Sequence, residues 1–143
     1  MIKKIINWFR PKVRLSRLNS ENVKDSLPKI NYKLLNPAKY YLLDEEYKSC
    51  SLDDFKKLLK KDFTNWKIAH KDYDCDNFAF KLYSNLKNKY PMLSIGIVFS
   101  CNHAFNVFVD KYETAFYIES QTDKIFTYSA LTKKYKPINL III

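Results

Sequence analysis

Hydrophobic and polar positions along the chain change period once, near residue 91. In "SLDDFKKLLKK", Leu52, Phe55, Leu58 and Leu59 recur at helical spacing behind Ser51, a good N-cap, and Asp53 and Asp54 suit the positive end of a helix. A second stripe, Phe78, Ala79, Leu82, Tyr83, Leu86 and Tyr90, predicts a helix that starts after Asp74 and stops at Pro91. Beyond it the chain reads as strands. "SIGIVFS", "HAFNVFV", "TAFYIE" and "KIFTYS" are short, rich in β-branched and aromatic residues, and separated by polar turns. A last run, "INLIII", reads as a buried strand. Residues 19 to 50 show no clear period. Helices first and an antiparallel sheet afterwards predict an α+β fold.

The segment "MIKKIINWFRPKVRLSRL" adds an amphipathic piece. Ile2, Ile5, Ile6 and Phe9 share a helical face opposite Lys3, Lys4, Asn7 and Arg10, until Pro11 stops the pattern. We divide the chain into this basic arm, residues 1–18, and a single domain, residues 19–143. Two readings of the arm stand side by side. It either docks its apolar stripe on its own domain or attaches to an anionic membrane surface, nucleic acid or another acidic partner.

Charge supports that division. Of the net +10, residues 1 to 40 supply ten basic groups against Glu21 and Asp25, while the remainder carries fifteen basic and thirteen acidic groups. The body is therefore nearly neutral. Gly96 is the single glycine, which excludes Walker-type phosphate loops and dinucleotide fingerprints, since both need several glycines. Cys50, Cys75 and Cys101 make an odd set with no paired spacing, so a reducing, cytoplasmic setting is expected, with peripheral membrane attachment if the arm binds lipid.

Candidate chemistry centres on "DYDCDNFAF". Asp74 can cap the helix that follows, leaving Cys75 in its first turn, where outward backbone N–H groups favour a thiolate and can serve an oxyanion. The carboxylates of Asp74 and Asp76 work against that. His103 opens one expected strand and Glu119 closes the next, so pairing through the intervening turn would bring their ends together. Gln121, the only glutamine, lies just beyond. The bland alternative is a filler cysteine and a histidine satisfied in the core. Cys75, Cys101, His70 and His103 could nominally ligate zinc, but no CxxC or close histidine pair is present.

The order "DCDNFA", "HAFN", "YIESQT" resembles the papain-like domain found at the C-terminus of a fungal agglutinin and in phage-encoded relatives. It is more distantly similar to transglutaminase-like cysteine peptidases with a "DCDD" start. The resemblance spans residues 72 to 126. It implies a papain-like α+β fold in which a cysteine-bearing central helix packs on an antiparallel sheet. It also implies a catalytic triad of Cys75, His103 and Glu119 acting on a protein or peptide substrate. Papain-like enzymes carry a polar oxyanion donor, often glutamine, upstream of the cysteine. None stands here, so Asn65 or Trp66 would have to substitute, with Asp76 and Gln121 supporting the site. The fungal member depends on calcium, and Asp72, Asp74 and Asp76 are a sparse candidate for it. No other metal or cofactor is expected. The leading reading is thus a cysteine hydrolase or acyl transferase. Its rival is a non-catalytic viral or phage interaction protein that works through the basic arm.

Overall fold

The computed structural model describes residues 13–28 and 39–143. The apolar face of Ile2, Ile5, Ile6 and Phe9 therefore lies outside the described residues, and so does most of the basic arm. Of the arm's remainder, Val13 and Leu15 pack against the cluster built on Phe55 and Leu58, and strand β1 begins at Ser16.

Strand β1 (Ser16–Asn19) leads directly into helix α1 (Ser20–Ser26), which Asn19 caps by accepting the Asn22 N–H at 2.8 Å. Strands β2 (Lys39–Tyr41) and β3 (Glu46–Ser49) precede helix α2 (Leu52–Lys61), whose Ser51 Oγ accepts the Asp54 N–H. A 3-10 turn at Thr64–Trp66 then leads to helix α3 (Cys75–Lys89). Strands β4 (Ile95–Ser100), β5 (Ala104–Val109), β6 (Ala115–Glu119) and β7 (Lys124–Phe126) follow. A second 3-10 turn, Tyr128–Ala130, precedes strand β8 (Ile138–Ile142).

The main sheet has six strands in the order β2-β8-β4-β5-β6-β7. Strand β5 is buried along its whole length, because both sheet faces are covered. On one face Phe108 and Ile118 pack with Phe55 and Leu58 of α2 and Leu82 and Leu86 of α3. On the other, Phe105, Val107 and Tyr117 pack with Leu18, Val23, Tyr47, Leu131 and Tyr135. Asn106 fastens the helix to the sheet: its buried Nδ2 donates to the carbonyls of Ala79 in α3 and Gly96 in β4, both at 3.0 Å. Its Oδ1 accepts the hydroxyl of Ser120. Gly96 sits where a Cβ would lie 2.4 Å from the Ile142 carbonyl oxygen and 2.8 Å from the Ile143 Cβ, so β8 crosses β4 closer than any side chain permits.

This arrangement corrects the expected papain-like α+β class in two respects. Among the described residues, strands β1 to β3 come before α2 and α3, and β1 and β3 form a separate two-stranded antiparallel sheet. Nor is the main sheet antiparallel throughout: β2 runs parallel to β8, with Tyr40 opposite Ile141. Such short early strands draw their stability from the sheet they join and leave no periodicity of their own.

Candidate functional site

Cys75 is the first residue of α3, behind Asp74 in extended conformation, and the Asp74 N–H donates to Asn77 Oδ1 at 3.1 Å. Asp74 and Asp76 share a hydrogen bond, which raises the pKa of the Asp74 carboxyl, with slight burial and the Asp76 charge adding to it. The half-buried thiol packs against Ala79, Ile97 and Ala104.

His103 is buried just before β5, and its Nε2 lies 2.8 Å from Glu119 Oε2. The pairing Asn106 to Ile118 sets both side chains on one face of the sheet. The His103 ring stacks on Phe105 at 5.9 Å and meets the edge of Tyr135 at 5.3 Å. Phe105 and Tyr135 belong to the core on the face away from α3. Cys75 thus packs on Ala104, the first residue of β5, and His103 is the residue just before it. Among the described residues the Cys75 sulfur has no hydrogen-bond partner, His103 included.

Glu119 is the hub. Its Oε2 also accepts Lys134 Nζ at 3.0 Å and the Tyr135 hydroxyl at 2.8 Å, while Oε1 faces the Gln121 N–H at 3.5 Å. Burial opposes ionisation of this carboxylate, but hydrogen bonds from His103, Lys134 and Tyr135 outweigh it and lower the pKa to about 2. The Tyr135 hydroxyl is pushed up in turn by its burial and by the Glu119 charge. Nothing in the sequence singled out Lys134 and Tyr135, because the loop after the Tyr128–Ala130 turn carries no period that would aim them at β6.

Asn65 and Trp66 lie in the Thr64–Trp66 turn, and neither hydrogen-bonds the thiol. Asn65 Oδ1 is buried without a partner, whereas Trp66 is exposed. The turn is pinned elsewhere: Asp62 accepts the Thr64 N–H at 2.9 Å and Asn85 Nδ2 at 2.8 Å. Asp76 is exposed and accepts the Asn77 N–H at 2.9 Å. Among the described residues no group of three or more His, Cys, Asp or Glu is placed to hold a metal ion. Asp72, Asp74 and Asp76 form no such group, so these residues do not fit a calcium cage.

The fold these elements define, a mixed six-stranded sheet covered on both faces, has counterparts among solved structures of a lectin. One, described as "PSL1a-E64 complex", superposes with a TM-score of 0.69 at 20% identity, over 89% of this chain and 51% of the other. Another is Polyporus squamosus lectin bound to the human-type influenza-binding epitope Neu5Aca2-6Galb1-4GlcNAc, with a TM-score of 0.63 at 19% identity, over 89% of this chain and 49% of the other. The chain therefore spans about half the length of each. No family model and no curated protein matches it.

These findings overturn the resemblance to a papain-like peptidase. The similar structures are those of a lectin. The cysteine hydrolase reading goes with it, since both neighbours are structures of a lectin. The rival reading of a scaffold that works through the basic arm is replaced on the same ground.

Proposed function

We propose that the chain is a glycan-binding domain. The observation that carries the reading is the likeness of fold to Polyporus squamosus lectin, whose described ligand is a glycan epitope. Within this chain the surface best suited to a sugar is the turn beyond β7. Tyr128 is partly exposed there, and Lys136 Nζ lies 4.2 Å from its ring centre. Thr127 and Ser129 hydroxyls stand 3.1 Å apart beside it, and the half-exposed Lys134 follows. An aromatic ring offers area to the C–H face of a pyranose, hydroxyls meet its polar edge, and ammonium groups suit a carboxylate-bearing sugar.

Calorimetric titration with Neu5Aca2-6Galb1-4GlcNAc tests the reading. Tyr128→Ala and Lys136→Ala are each expected to weaken binding about tenfold, the loss of roughly one good contact. No binding at millimolar sugar would assign the epitope to the part of the lectin chain that this one does not cover, and would remove the proposal.

A further inference from the structure

The segment between α2 and α3 presents an anomaly that the sugar reading leaves unused. Phe63, Trp66 and Ile68 are 60%, 74% and 83% exposed, three large apolar side chains within six residues. Scattered single exposures are ordinary, whereas a contiguous apolar patch marks a contact surface. The patch is held in shape. Phe63 and Trp66 rings lie 4.5 Å apart, the Trp66 N–H donates to the Phe63 carbonyl at 3.1 Å, and Asp62, Thr64 and Asn85 lock the turn's base to α3. Trp66 therefore projects from a braced turn.

Charge around the patch is one-sided. Residues 60 to 71 contain Lys60, Lys61, Lys67 and Lys71 against a single acid, Asp62. Asp62 is buried and its carboxylate is occupied by Thr64 and Asn85. Lys67 reaches back over the Tyr73 ring at 3.7 Å, which leaves its charge at the rim. Asp72, Asp74 and Asp76 follow Lys71 in the chain, and Asp123 lies near enough to Asp62 for the two charges to interact.

We propose that this turn inserts into the interface of an anionic lipid bilayer, with Phe63, Trp66 and Ile68 among the upper acyl chains and the lysines against the headgroups. Tryptophan and phenylalanine favour that depth, lysine stems let the ammonium groups reach outward, and acidic headgroups complement the rim. The inference rests on the turn alone and is independent of both the basic arm and the glycan proposal.

The test uses the full chain carrying Trp8→Phe, which leaves Trp66 as the only tryptophan. Phosphatidylcholine vesicles with phosphatidylserine should shift Trp66 emission to the blue, and bromine-labelled acyl chains should quench it. Vesicles without phosphatidylserine should do neither. In a chain with Trp8 intact, Trp66→Ala combined with Ile68→Ser should reduce co-sedimentation about tenfold or more, because two apolar side chains leave the bilayer. Both side chains are exposed, so the variant keeps its fold. Unchanged Trp66 emission, equal sedimentation of the variant, or a blue shift that follows protein concentration without lipid would each overturn the proposal, the last by assigning the patch to a second copy of the chain.

Discussion

Two sets of carboxylates stand at the two sides of one sheet end and behave in opposite ways. Glu119 is buried on the face away from α3, yet three donors converge on one of its oxygens and hold it ionised down to about pH 2. Asp74 and Asp76 are exposed at the start of α3, and the hydrogen bond and charge of Asp76 make Asp74 retain its proton more firmly than an isolated aspartate. Solvent exposure alone would rank them the other way. What decides the matter is the supply of donors, and only the fold can bring Lys134 and Tyr135 to β6.

Breaking the rich side should have the largest effect. Glu119→Ala leaves a buried imidazole and hydroxyl without their acceptor, and should cost about 3 kcal/mol in urea unfolding at neutral pH. The same carboxylate has a pH signature. Its folded pKa is depressed from an unfolded value of about 4.3, so its stabilisation is complete above that value and should drain away as pH falls toward about 2. The variant should lack that part of the acid transition. On the poor side, Asp76→Asn should change stability by no more than about 0.5 kcal/mol, while the Asp74 titration seen by NMR moves to lower pH.

The smallest effect concerns the three thiols. Iodoacetamide should modify exposed Cys101 first, half-buried Cys75 next and buried Cys50 last. Burial, with the charges of Asp54 and Asp110, pushes the Cys50 pKa up to about 12. A Cys75 that outran Cys101 would show a thiolate stabilised at the start of α3.

Local signals announced part of this molecule. The stripe of Phe55, Leu58 and Leu59 and that of Phe78, Leu82 and Leu86 mark helices, since each face is buried at helical spacing. The β-branched runs from Ile95 onward mark strands. Strands β1 to β3 left no such trace, being only three or four residues long and dependent on partners far along the chain. The parallel pairing of Tyr40 with Ile141 joins segments a hundred residues apart, a contact no periodicity encodes. In the candidate site, the phrases around His103 and Glu119 drew attention by their chemistry. The covered second face of β5, where the His103 ring meets Tyr135, follows from Tyr135 and Leu131 arriving late in the chain.

Gly96 carries a consequence for how this chain can vary. Every other residue type would drive a methyl group into the backbone of β8, and the strand so displaced also holds β2 at the sheet edge. Glycine occurs at no other position of this chain. The single one stands where the approach of β8 leaves no room for a side chain, and any sequence that keeps this β4–β8 contact is expected to keep a glycine there.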